Sequence, residues 1–377
     1  MKSSCLVIAG EKSGEDHAMT FLPELMKLSP QTEFYGVGGE RLEKLGMQLI
    51  YHLKDFSGIG ISEVLGKIPF YYKALDHLLE EVDKRNTKTA ILIDFQGFNM
   101  KLAKKLKARG VEVLYYVAPQ AWVWKPWRAK ALKKNVHTLF TIIPFEKKWF
   151  FDRGVKQVKG VIHPLMIEYG ERLNSVKQKN FSDIKNRPIR LLLLPGSRNV
   201  EVSKLLPIFA KGVELIQEAD FKIELGIVKS ESVRTEHYDV NLPFSNEWKS
   251  DELPTALEWA DICIAASGTV TLATGLFGVP TIVLYQVSLF TEFVLSLLVP
   301  YDGPASLTNI VHEKMVFPEL IQYQADRYGI FKHFKRWMQN EEEYNHVARE
   351  LMKTKDYLTG DDFSVPEYMA QVLNKNS

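Results

Sequence analysis

The sequence predicts two doubly wound α/β domains in tandem, each built on a parallel sheet. Three observations predict it. Short β-branched runs alternate with amphipathic stretches, one polar stretch interrupts that rhythm, and the rhythm then restarts. Strands buried on both faces read as continuous apolar runs, and the helices between them supply the crossovers that parallel strands need.

In the first half the strands are read at Cys5–Ala9, Glu33–Val37, Ala90–Ile93, Val111–Val117 and His137–Ile142. Between them apolar residues recur at helical spacing, as in Phe21, Leu22, Leu25 and Leu28, or in Leu102 and Leu106 before the stop at Gly110. Residues 178–188 turn polar and form the clearest linker. Strands resume at Ile189–Leu194, Phe221–Ile227, Ile262–Ala266 and Thr281–Tyr285. This divides the chain into a first domain at 1–177, the linker, a second domain at 189–340 and a tail at 341–377. The tail is charged and helical, and it either folds back on the first domain or swaps with a partner in a homodimer. Two such domains around a linker make a cleft, with ligands expected at the carboxyl ends of the strands.

Composition narrows the function classes. The chain has 377 residues, enough for two ordinary domains, with 46% hydrophobic and 25% charged residues as in soluble globular proteins. Its 48 basic and 46 acidic residues nearly cancel, so no bulk charge points to nucleic acid. The two cysteines, Cys5 and Cys263, sit inside strands and read as reduced core residues of a cytosolic protein. The first apolar run is too short for a signal peptide, and the run from Phe290 to Pro300 carries Glu292 and is too short to span a bilayer. The nine histidines lack metal-ligand spacing, and neither a P-loop nor a serine-hydrolase elbow is present. No metal and no cofactor are expected.

Two loops of the second half carry an anion-binding pattern. Strand Leu191–Leu194 runs directly into Pro195-Gly196-Ser197-Arg198, and a helix begins near Asn199. Gly196 lets a ligand approach the backbone, the first-turn N–H groups favour an anion, and Arg198 offers a planar fork suited to phosphate. The alternative is an ordinary strand–turn–helix with a solvated arginine. Ser267-Gly268-Thr269 leaves another strand in the same way, so the pair could grip a diphosphate. In the first half, Gly10-Glu11-Lys12-Ser13-Gly14-Glu15-Asp16 lacks dinucleotide-loop spacing, and its acids would repel a pyrophosphate. An acidic, hydroxyl-bearing loop suits sugar hydroxyls better, while Glu15 and Asp16 read as charges at a helix N-terminus. Asp94 ends its strand and reads either as a general base or as a helix N-cap.

These motifs continue in order along the chain. Gly36-Val37-Gly38-Gly39, Gly60-Ile61-Ser62-Glu63-Val64-Leu65-Gly66 and Phe98-Asn99 follow the opening loop. Tyr116-Val117-Ala118-Pro119 with Trp122, Trp124 and Arg128 comes next, then Pro144-Phe145-Glu146 and His163-Pro164. Glu201-Val202, Ser306-Leu307 with Asn309, and Pro318-Glu319-Leu320 with Gln322 close the series. The whole resembles lipid-A-disaccharide synthase, an inverting, metal-independent glycosyltransferase of the two-Rossmann-domain (GT-B) type. The resemblance implies that a UDP-linked 2,3-diacylglucosamine donates its sugar to 2,3-diacylglucosamine-1-phosphate, giving the β-1,6 lipid A disaccharide and UDP. It implies Asp94 as base and Arg198 on the donor phosphates, with Gly196, Ser197, Glu201, Ser267, Gly268, Thr269 and Asn309 around the nucleotide. Glu11, Ser13, Gly14 and Asn99 are then expected around the acceptor sugar.

The sequence departs from the resemblance at several positions. Ala273 stands where an acid expected to hold the ribose usually lies, and Gly97 where a second acid usually follows Ile-Asp. Ile162 replaces a glycine and Thr308 a proline. A UDP-GlcNAc epimerase, a peptidoglycan-type transferase and a non-catalytic lipid- or nucleotide-binding paralogue therefore stay open as rival readings.

Both substrates carry acyl chains, so peripheral attachment to the cytoplasmic face of the inner membrane is expected. Val64, Leu65, Ile68, Phe70, Tyr71 and Tyr72 are read as a lipid-facing element, the alternative being packing against the sheet. Residues 289–298 form a second candidate. Lys125, Arg128, Lys130, Lys133 and Lys134 could meet lipid phosphates.

Overall fold

A computed structural model describes residues 3–56, 68–286 and 303–375. It divides the chain into two compact units, Met1–Glu168 with Leu358–Ser377, and Tyr169–Tyr357.

The first unit holds a seven-stranded sheet of order β3-β2-β1-β4-β5-β6-β7. The strands are β1 (Ser3–Ala9), β2 (Thr32–Gly38), β3 (Gln48–His52), β4 (Thr89–Ile93), β5 (Glu112–Tyr116), β6 (Thr138–Thr141) and β7 (Val158–Gly160). Every pairing is parallel. Side chains alternate across a strand, so β1 feeds two cores. Leu6 and Ile8 pack with Leu75, Leu78 and Leu79 of helix α1 (Ile68–Lys84) and with Leu102 and Leu106 of helix α2 (Gln96–Ala108). Cys5, Val7 and Ala9 face the other way, against Leu22, Leu25, Met369 and Leu373. The helix Val365–Lys375 at the end of the chain thus closes the second face of this sheet.

The second unit repeats the plan with six strands, again all parallel, in the order β10-β9-β8-β11-β12-β13. They are β8 (Ile189–Leu194), β9 (Ile223–Lys229), β10 (Asn246–Lys249), β11 (Ile262–Ala266), β12 (Thr281–Tyr285) and β13 (Glu319–Ile321). Its core joins Leu191 and Leu193 to Val202, Leu206 and Phe209 of helix α3 (Asn199–Glu218) and to Ile330, Phe334 and Trp337. Gly212 sits inside α3 because a Cβ there would lie 2.9 Å from the Ile330 side chain. The polar residues 178–188 fold within this unit. Ile184 is buried in its core, and Arg187 forms a two-pronged pair with Asp261 at 2.7 and 2.8 Å.

Both sheets reverse direction of growth once, between β1 and β4 and between β8 and β11. Loops leaving adjacent strands diverge at such a switch point, and the crevice they leave is where α/β sheets bind ligands. Register pairs Ala9 with Ile93 and Leu194 with Ala265, so the loops singled out in the sequence emerge side by side within each unit.

Candidate active site

At the first switch point the loop after β1 brings Glu11, and the end of β4 brings Asp94. Asp94 and Phe95 both adopt left-handed backbone, with φ of 48° and 42°. Consecutive non-glycine residues there cost roughly 1–3 kcal/mol each and must be held by their surroundings. The hold is visible. The Asp94 N–H donates to the Tyr116 carbonyl at 2.9 Å, and the Asp94 carbonyl accepts from Tyr115 Oη at 3.1 Å and Asn99 Nδ2 at 2.9 Å. Gly10 makes room for the turn, since a Cβ at that position would lie 2.8 Å from the Phe95 ring. Helix α2 starts one residue later with Phe95 as its cap and no side-chain capping bond, so the Asp94 carboxylate is not a helix cap.

Burial pushes the Asp94 carboxyl up to about 6, with the Glu11 charge adding to the rise and a backbone hydrogen bond from Phe95 opposing it. Such a group is a stronger base than an ordinary aspartate and is still mostly ionised near neutrality. Asp94, Glu11, Gln96 and Gly97 line one end of a cavity of about 560 Å³ whose remaining wall is largely aromatic.

Several expected contacts take other roles. Gly14 is buried, and a Cβ there would lie 3.4 Å from Ala9 Cα, so it packs its helix on the strand end instead of meeting a sugar. Ser13 is exposed on the same helix. Asn99 is wholly buried and its amide nitrogen is engaged by the Ile93 and Asp94 carbonyls, so it braces the turn that carries Asp94 and does not offer that amide to the acceptor. Glu15 is buried and accepts from the N–H groups of Arg41 and Leu42, capping the helix Glu40–Lys44.

The apolar stretch also divides. Val64 and Leu65, the motif 60–66 and residues 289–298 lie outside the described residues. Ile68 and Tyr72 are 42% and 51% exposed. Phe70 and Tyr71 are half-buried in an aromatic cluster, with Tyr71 Oη donating to the Phe56 carbonyl at 2.7 Å, so they are wall residues of this unit and not a free lipid-facing surface. Leu75, Leu78 and Leu79 complete the buried stripe against the sheet. Among the described residues, no helix is long and apolar enough to cross a membrane.

Trp122 and Glu146, 24 positions apart in the motif series, are direct partners in the fold. Glu146 is buried, accepts from Trp122 Nε1 at 2.9 Å, and is pushed up to about 8 by burial. A neutral, buried carboxyl is thereby the anchor of the Trp122–Trp124 loop, over which Lys125 and Arg128 stack on the Trp124 ring at 3.9 and 5.1 Å.

At the second switch point, Gly196 has φ of 116°, and a Cβ there would lie 2.8 Å from Glu201 Oε2. That space belongs to the Glu201 carboxylate, which accepts from the Ser197 N–H at 3.4 Å and from Arg198 Nη1 at 2.8 Å. Glu201 is therefore a brace of the loop, since a carboxylate in direct contact with a diphosphate would repel it. Arg198 precedes α3 and its side chain is 77% exposed, free to reach an anion with its remaining donors. Ser267 is engaged through both groups, its N–H with the Leu284 carbonyl and its hydroxyl with the Ala305 carbonyl, each at 3.0 Å. Gly268 then opens helix α4 (Thr269–Leu276), and nothing lies within 4 Å of where its Cβ would stand. Gly196, Ser197, Arg198, Glu201, Ser267, Gly268 and Thr269 all line one cavity of about 300 Å³.

Asn309 is not exposed to that cavity. It is wholly buried, donating to the Phe317 carbonyl at 2.9 Å and Glu319 Oε1 at 2.7 Å and accepting from the N–H groups of Val316 and Phe317. Glu319 in turn accepts from the N–H groups of Ala305 and Ser306. Asn309 thus supports the segment on which Ser267 rests, and a nucleotide contact by its own amide is ruled out in this conformation. Ala273, one turn into α4, is 1% exposed. Thr308 donates to the Thr271 carbonyl and fills the space that Gly275 leaves open.

Comparison with known proteins fits this geometry. A profile of lipid-A-disaccharide synthetase matches residues 5–373. The chain belongs to that family. It is 27% identical to a lipid-A-disaccharide synthase of Francisella philomiragia, over 98% of this chain and 99% of that one. It is 33% identical to the synthase of Myxococcus xanthus, over 84% of this chain and 83% of that one. Its fold resembles the spinosyn rhamnosyltransferase complexed with thymidine diphosphate, with a TM-score of 0.57 at 13% identity, covering 99% and 100% of the two chains. Family membership makes the chain a glycosyltransferase of lipid A biosynthesis, acting on a nucleotide-sugar donor and an acceptor.

Proposed function

We propose that the chain transfers 2,3-diacylglucosamine from its UDP derivative to 2,3-diacylglucosamine-1-phosphate by single displacement. The second unit takes the donor and the first takes the acceptor. The Asp94 carboxylate removes the proton of the acceptor 6-hydroxyl as that oxygen attacks the anomeric carbon. The bond from that carbon to the β-phosphate oxygen breaks on the opposite face, the configuration inverts, and UDP leaves. Charge developing on the phosphate is met by Arg198 and by the first-turn N–H groups of α3 and α4, without a metal in this reading. Removal of one such preorganised donor typically costs about 3 kcal/mol of barrier.

The observation that carries the assignment is the end of β4, where one carboxyl of raised pKa stands in an aromatic cavity beside a second acid. Burial and a like charge together bring a carboxyl toward the pKa at which a general base works near neutrality. Because both substrates carry acyl chains, we place the protein at the cytoplasmic face of the membrane as a peripheral enzyme. Ala273 implies that the ribose is held by groups other than the acid its relatives are expected to use.

Mixing the purified chain with acylated donor and acceptor in detergent tests the proposal. Mass spectrometry should find the disaccharide and UDP rising together in equal amounts. Folded protein that yields no disaccharide would refute the assignment.

A further inference from the structure

A further cavity, of about 330 Å³, opens at the edge of the second sheet opposite the glycine loops. Arg190 stands at the start of β8 and Asp261 just ahead of β11, whereas Gly196 and Ser267 follow the far ends of the same two strands. At roughly 3.3 Å per residue, the length of β8 puts about 16 Å between the two edges. The charged lining is Lys177, Lys179, Arg187 and Arg190 against Asp183, Glu258 and Asp261. Pairing among them is uneven. Asp261 is fully engaged, since Arg187 holds both its oxygens and one of them also accepts from the Arg190 N–H. Glu258 faces Arg172 at 3.6 Å. The half-buried Lys179 donates from Nζ to the Glu258 carbonyl at 3.0 Å, and among the described residues it has no carboxylate partner. An ammonium carries three donors, so one carbonyl leaves it short of acceptors. Burial lowers the Lys179 pKa, Asp261 opposes that fall, and Arg187 and Arg190 add to it. The Arg190 guanidinium has one loose carboxylate neighbour, Glu224 at 3.8 Å.

We propose that this cavity binds a small phosphomonoester, its phosphate held by Lys179, Arg190 and Lys177 and its esterified group lying against Trp259 and Val176. The reading goes beyond sugar transfer and does not rest on it. Three features select the ligand. A desolvated ammonium short of acceptors, beside two more cations, is completed by an anion, and a guanidinium with ammonium groups suits the several oxygens of a phosphate. The volume falls in the range of small-molecule pockets and leaves room for an organic group beside the phosphate. Trp259 supplies a fixed apolar surface for that group, because its ring packs on Trp248 with centroids 5.1 Å apart. Asp183 is the opposing charge. It is exposed, its printed partner is the neighbouring Ser182 hydroxyl at 3.4 Å, and its carboxylate weakens the hold on a phosphate.

The test measures binding and is independent of turnover. Phenyl phosphate, inorganic phosphate and phenol are titrated into the full chain by ligand-observed NMR, with UDP in excess to fill the glycine loops. Phenyl phosphate should bind saturably, inorganic phosphate should compete with it more weakly, and phenol should not bind. The same titration in Arg198→Ala should give an unchanged affinity, which separates this site from the nucleotide loops whether or not UDP binds there. Lys179→Met keeps the aliphatic stem and removes the charge, and it should weaken phenyl phosphate about tenfold, the worth of one charge-assisted hydrogen bond. Lys177→Gln, at an exposed position, should weaken it about twofold, and Asp183→Asn should strengthen it by about as much. Equal affinities for phenyl phosphate and inorganic phosphate would keep the phosphate site and assign it to the free ion. Displacement of the probe by UDP, or loss of binding in Arg198→Ala, would place the probe in the glycine loops and overturn the proposal. So would an affinity unaltered in folded Lys179→Met and Lys177→Gln alike.

Discussion

Replacing Asp94 with asparagine should make the protein more stable as it removes activity, and the gain should depend on pH. The Asp94 carboxyl is raised from 3.8 to about 6 in the folded chain, chiefly by burial and then by Glu11. The native state therefore holds a proton that the unfolded chain releases. Stability linked to this group is complete below about pH 4 and is lost as pH rises through about 6. A shift of about two units at ~1.36 kcal/mol per unit amounts to about 3 kcal/mol. Asparagine keeps an oxygen for the Phe95 N–H and cannot ionise. Asp94→Asn should thus match wild type at about pH 4 and exceed it by up to about 3 kcal/mol at about pH 8. Urea denaturation of both proteins across that range reads the difference directly. A constant difference at every pH would refute the account of the buried carboxyl, as would a wild-type advantage that grows with pH.

Further outcomes follow from the same geometry. Arg198→Ala should weaken UDP binding in a calorimetric titration while the melting temperature stays within a degree or two, because the side chain is largely exposed; unchanged affinity would count against its phosphate role. Gly196→Ala should lose roughly 1–3 kcal/mol of stability through its left-handed backbone and displace Glu201, with UDP affinity falling too. Asn309→Ala strips partners from the Val316 and Phe317 N–H groups and from Glu319 and should cost roughly 3 kcal/mol or more in urea denaturation; a loss of nucleotide affinity at full stability would restore a direct contact. Glu146→Gln should match wild type at about pH 4 and become steadily more stable than it up to about pH 8, because burial raises that pKa to about 8 while the unfolded chain already releases the proton.

The central strands of both sheets were legible because residues buried on both faces leave continuous apolar runs, as in Leu191–Leu194 or Ala90–Ile93. The four strands absent from the sequence reading, β3, β7, β10 and β13, all lie at sheet edges. An edge strand is short and part-exposed, so Asn246–Lys249 is mostly polar, and Gln48–His52 offers an apolar run of only three residues between polar ends. Site positions split along similar lines. Gly196 and Asp94 end buried strands and were visible from that placement alone. Asn309 and Asn99 are polar residues in motif positions, and only the fold reveals that both are buried braces. Phe70 and Tyr71 are ambiguous for a related reason, since an aromatic excess on a helix serves packing, as at Phe70, or a pocket wall, as at Tyr71, as readily as a membrane face. Asp94 and Tyr71 could not be brought together from sequence, because what joins them is a cavity whose lining is scattered over Phe56, Ile68, Tyr71, Leu75, Asp94 and Phe98.

The central claim is that Asp94 acts as the base in sugar transfer, and single-turnover rates across pH test it most directly. With donor bound to excess enzyme and acceptor added, disaccharide formation should rise with pH through a step near 6 and then level off, following ionisation of the raised carboxyl. Asp94→Asn should retain donor binding while its residual rate, lower by roughly two to four orders of magnitude, shows no such step. An intact step near 6 in the asparagine variant, or turnover close to wild type, would contradict the account.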